Sequence, residues 1–496
     1  MPCPYWYPAS RNGDSLESAS LMLAAIQPNL WMVTPFVGLL AAMAMAPLLF
    51  AQWWSRHYAK FTLALAGVTL AFYVLGLGAQ ERTLQTARDY VSFICLIGAL
   101  FVISGGIHIN VKGEASPGTN VMFLLVGALI ANVLGTTGAS MLLIRPWLRM
   151  NKYRLTAHHV VFFIFIVSNV GGSLTPVGDP PLFLGYLKGV PFWWVVQQCW
   201  LPWLVGVGLL LVVFFLLDTR NFRRAPRAVR DRETAHEQWR FEGLVNLLFL
   251  GIVLGAVFIK QPTFLREGIM AAAAGASWLT TKKGVLEAND FSFQPIKEVA
   301  VLFLGIFATM MPALDWLQAS AARFGEPSPA LFFWGSGALS SVLDNAPTYL
   351  SFLSTAFGAF ASPDLTASLM ACAQGQGLDT NCIAATHYAQ PICQAAAAFH
   401  QLFPKGTLAA NITYDQAQTV LLLANPWSAN CLRAISIGSV FFGANTYIGN
   451  GPNLLVKAIA DQQKAHTPAF FGYIFRFTLP CMLPMLVIVW LLFFRS

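Results

Sequence analysis

The stretch SNVGGSLTPVGDPPLFLG, Ser168 to Gly185, decides how this chain is read. It lies in an apolar run of membrane-spanning length, yet Gly171, Gly172, Pro176, Gly178, Pro180 and Pro181 crowd into it. A kink needs one proline or a glycine pair, so this density predicts backbone that leaves the helix altogether. Such backbone cannot face lipid, where unpaired amides and carbonyls are costly, and must line something polar. A second stretch, GANTYIGNGPNLLV, Gly443 to Val456, repeats the pattern with Gly443, Gly449, Gly451 and Pro452. The alignment sets Asp179 opposite Asn450.

Working outward, each broken segment has a short companion earlier in the chain. VLGTTGASML, Val133 to Leu142, precedes the first, and VLDNAPTYL, Val342 to Leu350, precedes the second, with Gly135 opposite Asp344. Both companions sit in interrupted apolar runs, 119–144 and 328–358, that read as re-entrant hairpins. Continuous spans are expected at 34–50, 61–79, 91–110, 197–217, 241–260, 264–281, 298–314 and 470–494, with broken helices at 158–187 and 432–456. The composition agrees: 56% of the 496 residues are hydrophobic and 10% charged, which excludes an ordinary soluble domain. The net charge of +8 is not a nucleic-acid footprint, because the cations fall between spans rather than along one polar face.

These units give an all-α integral membrane protein of about ten transmembrane helices plus two re-entrant hairpins, arranged as two inverted-topology repeats with broken helices at the midplane. Residues 1–31 read as an external N-terminal leader without secretory-signal features. The first repeat covers 32–217, a basic cytoplasmic linker 218–240, and the second repeat 241–496. Residues 361–429 are expected to form an external insert. If only the hairpins re-enter, nineteen basic residues collect on one side against nine on the other, which places both termini outside.

The segments SNVGGSLTPVGDPPLFLGYLKGVPF, SSVLDNAPTYLSFL and FFGANTYIGNGPNLLVKAIAD resemble those of the ion transporter superfamily over nearly the whole chain. That superfamily includes divalent-anion sodium symporters, arsenite efflux pumps, citrate transporters and NhaD-type sodium/proton antiporters. The nearest resemblance is to its bacterial sodium:proton antiporter and citrate transporter branch. It implies hairpin tips meeting unwound loops near the midplane, location in a bacterial inner membrane, and a homodimer. The Ser-Asn-Thr tip of the anion symporters is replaced by Gly135, Thr136 and Thr137 in one hairpin and by Asp344, Asn345 and Ala346 in the other.

Only Asp179 and Asp344, of 22 acidic residues, fall inside the expected core. An ionisable group at that depth is a functional candidate, since a carboxylate withdrawn from water can hold either a proton or a cation. The first half-site is expected to comprise Thr136, Thr137, Asn169, Ser173, Thr175 and Asp179. The second comprises Asp344, Asn345, Thr348, Asn445, Thr446, Asn450 and Asn453. Asp179 and Asp344 are the candidate sodium ligands, and Asp344→Asn is expected to abolish cation-dependent proton movement. The alternative at each aspartate is a helix N-cap.

The function expected is a secondary active transporter exchanging sodium or lithium for protons by alternating access, with no cofactor beyond the coupling ions and no enzymatic activity. Cation-coupled uptake of citrate or another carboxylate is the alternative in the same fold. An intramembrane aspartyl protease is a remote third, because Pro176-Val177-Gly178-Asp179 lacks the first glycine of the GxGD pattern. No P-loop pattern indicates ATP drive. His158 and His159, at the entrance of the first broken span, read as solvated interfacial groups with pH sensing as the alternative. In the insert, Cys372, Cys382 and Cys393 would face an oxidising compartment and allow one disulfide, and Asn411 to Thr413 matches a glycosylation acceptor.

Overall fold

The first interrupted run turns on one glycine. Gly135 has φ 75° and ψ 156° inside the helical segment Pro117–Met150, a backbone state that side-chain-bearing residues rarely adopt. The two arms fold back symmetrically about it. Asn120 and Asn151 exchange side-chain hydrogen bonds of 2.8 and 3.1 Å, and the Phe123 and Trp147 rings stack at 5.5 Å. A β-carbon on Gly127 would stand 3.3 Å from the Leu143 side chain. The segment is therefore a hairpin with both ends on one side, as expected, although its arms extend beyond 119–144.

The second hairpin consists of Pro329–Ser340 and Asn345–Phe360. Phe332 packs edge-to-face on Phe352 across its arms, with ring centroids 6.2 Å apart. Each broken helix is also present. In the first, Ala157–Ile166 gives way to a 3-10 turn, Val170–Leu174, and resumes as Pro180–Leu187. In the second, Pro426–Phe442 is followed by a 3-10 turn, Gly443–Asn445, and then Gly451–Gln462.

This computed structural model describes residues 28–110, 115–224, 240–259, 261–324, 327–374, 389–402 and 412–495. Most of the expected leader, most of the basic linker, Cys382 and Asn411 lie outside them. Eight helices among the described residues are long and apolar enough to cross a membrane, including Ala51–Gly76, Gln80–Gly105, Phe192–Arg224, Gln294–Ser320 and Phe470–Phe493. The protein is an all-α integral membrane protein. Its sole sheet among the described residues is a two-stranded ribbon pairing His108–Asn110 with Arg240–Glu242.

Several boundaries differ from expectation. The helices expected at 61 and 91 begin at Ala51 and Gln80. An apolar window locates the lipid-crossing part of a helix, whereas hydrogen bonding continues through flanking turns that carry Arg56, Lys60, Arg82 and Asp89. Asn246–Ala256 has only 11 residues, or roughly 16 Å of rise against a hydrocarbon core of about 30 Å. It is too short to span alone.

The expected insert is not a plain loop. It contains the helices Pro363–Gln374, Ala389–Leu402 and Tyr414–Ala424. Leu365, Leu369, Ile392, Phe399, Val420 and Leu421 form a separate small apolar core between them. Amphipathic helices dilute a hydropathy window with their polar faces, so their order escapes it. Lys188 ties this unit to the membrane helices, with Nζ 3.1 Å from Asp415 and 2.9 Å from Asp89.

Candidate functional site

Asp179 occupies the N-cap position of Pro180–Leu187 but makes no cap hydrogen bond. Pro181 removes the second helical N–H, and the third, on Leu182, donates to the Asp179 carbonyl at 3.1 Å instead. The side chain turns instead into the centre of the molecule and is wholly buried. There it accepts hydrogen bonds from Thr136 Oγ1 at 2.6 Å and Asn345 Nδ2 at 2.5 Å. Asn450 Nδ2 adds a longer contact at 3.4 Å. Thr136 and Asn345 sit at the two hairpin tips, and Asn450 lies in the second broken helix, so three discontinuous elements converge on the carboxylate of a fourth.

Asp344 behaves differently. Its Oδ1 accepts the Ala346 amide at 3.0 Å, capping Asn345–Phe360, and Thr348 Oγ1 donates to its carbonyl at 3.0 Å. This hairpin has a donor at the second helical position, where the first broken helix has Pro181. The two carboxylates thus differ in their hydrogen bonding: Asp179 is held by side chains from other elements, whereas Asp344 makes the N-cap contact given above as the alternative for each aspartate. No hydrogen bond joins the two carboxylates among the described contacts.

The framework around them is repeated between the halves. Thr175 Oγ1 accepts the Gly178 amide and donates to Asn132 O, at 3.1 and 2.7 Å. Thr446 Oγ1 does the same with the Gly449 amide and Ser341 O, at 3.1 and 2.6 Å. Close backbone approach fixes the glycines. A β-carbon on Gly178 would stand 2.1 Å from Gly172 O, and one on Gly449 would stand 2.7 Å from Gly443 O. The two broken segments interlock through Asn169, whose Nδ2 donates to Asn453 Oδ1 at 2.7 Å and whose Oδ1 accepts Asn450 Nδ2 at 3.1 Å.

Of the remaining expected residues, Ser173 Oγ donates to Val170 O at 3.0 Å within its own turn. Asn445 Nδ2 donates to Ser341 Oγ at 2.9 Å. Thr137 lines a chamber of about 30 Å³ beside Asp179, with Leu96, Leu100, Thr136 and Phe183 among its other walls. That is room for about one water or one small ion. Asn345 Oδ1 and Asn445 Oδ1 are buried without a hydrogen-bond partner. Asn345 carries its unpaired oxygen on the amide that donates to Asp179, and an amide oxygen beside a carboxylate is a donor pair a hard cation takes.

Two features were not anticipated. Asn132 holds the first unwound segment in shape: Nδ2 donates to Gly171 O at 2.6 Å, and Oδ1 accepts the Leu174 and Thr175 amides at 2.9 and 3.2 Å. Its position just before VLGTTGASML was the available signal. The second is a buried charge cluster. Asp218, placed by sequence in the solvated linker, is wholly buried at the end of Phe192–Arg224. It receives Arg154 Nη1, and Arg154 Nη2 and Asn120 Nδ2 at 2.9 Å each. His158 Nε2 lies 3.3 Å and His159 Nε2 3.1 Å from its Oδ1. The His–His–Asp grouping has metal-ligand proximity, but the guanidinium already neutralises the carboxylate, so it reads as a structural ion cluster. His159 is buried, not solvated at an interface.

Two hairpin tips and two unwound helices meeting at one buried carboxylate, with an ion-sized chamber beside it lined by the first hairpin, the first broken helix and Gln80–Gly105, in an all-helical membrane protein define a membrane transporter. The chain belongs to the family described as "Putative citrate transport", whose model matches residues 25–494. It is also similar to an uncharacterized transporter of Mycobacterium tuberculosis, in strains CDC 1551 / Oshkosh and ATCC 25618 / H37Rv. Each copy is 23% identical over 315 residues, covering 58% of this chain and 73% of the relative.

Proposed function

We propose that this chain is a secondary active transporter that couples cation movement to transport of citrate or a related carboxylate, with Asp179 as the coupling carboxylate. The observation that carries the reading is the convergence of Thr136, Asn345 and Asn450 on Asp179 from both hairpins and the second broken helix. A proton or sodium ion bound there changes the hydrogen bonding of all these elements at once. Chemistry at one carboxylate is thereby linked to the arrangement of the whole centre. The orphaned Asn345 Oδ1, on the amide that donates to Asp179, offers a further cation ligand, and family membership supports citrate as the class of solute.

Sodium or lithium exchange for protons, without an organic solute, is the second reading. It is favoured by the neutral character of every side chain that donates to Asp179 among the described residues. A carboxylate solute placed beside that group would need its charge offset by bound sodium. The paired-aspartate protease is disfavoured because Asp344 turns to its own helix rather than to Asp179. The location in a bacterial inner membrane, both termini external, the inverted halves and the homodimer belong to this proposal as well.

Purified protein in proteoliposomes loaded with a pH-sensitive dye tests it. Under an imposed proton gradient, sodium, lithium, potassium and citrate are added separately, and citrate is also added together with each cation. A citrate-dependent, cation-dependent signal supports the first reading. Collapse of the gradient by sodium or lithium alone replaces it with the second, and silence to every addition, single and combined, refutes both.

A further inference from the structure

Four consecutive carbonyls of the second unwound segment, Gly443 to Thr446, each accept a side-chain donor. Asn453 Nδ2 serves the outer two, Gly443 O at 2.8 Å and Thr446 O at 2.9 Å. Tyr473 Oη donates to Ala444 O at 2.7 Å, and Thr478 Oγ1 donates to Asn445 O at 2.8 Å. These inner donors are buried and come from the last membrane helix, Phe470–Phe493.

The first half is held differently. There Asn132 of the hairpin takes Gly171 O and the Leu174 and Thr175 amides. Ser341 stands at the equivalent position, since its carbonyl accepts Thr446 Oγ1 as Asn132 O accepts Thr175 Oγ1. It also precedes Asn345 by four residues, as Asn132 precedes Thr136. A serine is too short to reach along the loop in the same way. Its Oγ turns back to Gly337 O at 3.0 Å and accepts Asn445 Nδ2. The second loop therefore draws two of its donors from another helix.

The geometry of that helix matches the task. Ile474–Met482 is π-helical and contains Pro480, whose ring would collide with the Arg476 carbonyl in an α-helical turn. Residues five apart diverge by about 140° around an α-helix, whereas the wider i→i+5 turn brings them back toward one face. Tyr473, immediately before the π run, and Thr478 thus meet adjacent carbonyls, while Phe471, Phe475 and Leu479 are exposed.

We infer that Tyr473 and Thr478 are positioning residues of the transport site, which fix the loop that carries Asn450 to Asp179. The inference rests on the reading of Asp179 as the coupling carboxylate. The effect on that carboxylate is indirect. It passes through Asn445, whose Nδ2 meets Ser341 in the hairpin, and through Thr446, whose Oγ1 ties the Gly449 amide next to Asn450.

The test compares Thr478→Val, Thr478→Ser, Tyr473→Phe and a control, Tyr90→Phe, in the full chain. Tyr90 Oη donates to Ala300 O at 3.0 Å between two other membrane helices, so the control removes the same kind of hydrogen bond elsewhere. Hydrogen exchange in detergent, read by mass spectrometry, reports the loop directly. Thr478→Val and Tyr473→Phe should each speed exchange across 446–453 about threefold to tenfold, the factor for one neutral hydrogen bond, and leave the first unwound segment unchanged. In proteoliposomes both should raise the sodium concentration for half-maximal flux by a similar factor, with flux read as citrate uptake or proton movement. The maximal rate per folded molecule should be kept. Thr478→Ser should restore wild-type values, and Tyr90→Phe should shift neither quantity even if it lowers the unfolding temperature as much. Unchanged exchange in the loop overturns the inference, as does Thr478→Ser behaving like Thr478→Val or Tyr90→Phe shifting half-saturation equally. A faster-exchanging loop with unchanged half-saturation in an active transporter would make the two residues structural only and overturn their positioning role. Wild-type protein without sodium-dependent flux refutes the Asp179 reading instead, and the exchange data still decide whether the last helix holds the loop.

Discussion

Replacing Asp179 by Asn keeps the size of the side chain and removes its charge. The carboxylate now accepts short hydrogen bonds from Thr136 at 2.6 Å and Asn345 at 2.5 Å. An amide offers one acceptor where the carboxylate offered two, so one donor must turn away or meet another N–H. A charge-assisted bond lost in this way costs about 1.5 to 3 kcal/mol, partly offset because the buried charge also disappears. Net stability should therefore change by no more than about 1 to 2 kcal/mol. For a bound cation the effect is larger. At about 3 Å and an effective dielectric near 20, the lost attraction is about 5 kcal/mol, and roughly half survives ion desolvation, so affinity falls about thirtyfold to hundredfold. Proton coupling at this position is lost outright. The assay is dye-reported proton movement in proteoliposomes, paired with thermal unfolding in detergent. Cation-dependent proton movement at wild-type rate and with unchanged ion affinity in Asp179→Asn would refute the reasoning.

Three further outcomes are expected. Asp344→Asn should retain transport and lose less than about 0.5 kcal/mol of stability, because asparagine caps a helix as well as aspartate does; abolished transport in a folded variant would restore Asp344 as a coupling group. Gly178→Ala should abolish expression of folded protein or cost about 3 kcal/mol or more, since its β-carbon meets backbone. Gly251→Ala, which meets nothing within 4 Å inside Asn246–Ala256, should be neutral or gain up to about 1 kcal/mol; equal losses at both would refute the packing argument. Asp218→Asn should destabilise by about 3 to 5 kcal/mol, because it leaves the Arg154 guanidinium buried without its partner. An unchanged unfolding temperature would show that the ion cluster is dispensable.

What could be seen in the sequence was backbone chemistry. Glycine and proline act locally, so Gly135 marked the hairpin tip and Gly178 with Pro180 and Pro181 marked the unwound segment before any contact was known. Pro181 also held part of the answer to the cap question, since it removes one of the two N–H groups that Asp179 could have capped. Asp344 was harder to read because its role depends on Ala346 having an amide to give. Asp218 was out of reach. Its burial comes from Asn120, Arg154 and two histidines brought together by tertiary folding, whereas its sequence neighbours are the arginines of a polar linker. The insert's helices were missed because hydropathy averages over both faces of an amphipathic helix.

The interlock of Asn169, Asn450 and Asn453 also has a mechanical meaning. Amide hydrogen bonds lock the two broken helices to one another, while Asp179 gathers both hairpin tips onto the same body. Against Gln80–Gly105 that body rests on Leu96, Leu100 and Phe101. Such a face works like a greased bearing, because sliding along it exchanges one apolar contact for another and breaks no hydrogen bond between those side chains. At the far end the Asp89–Lys188 pair and the Gln85–Asp415 hydrogen bond act as a detent, a polar catch on a slippery surface. If transport slides the two parts past one another, substitutions at this catch would adjust how readily they slip.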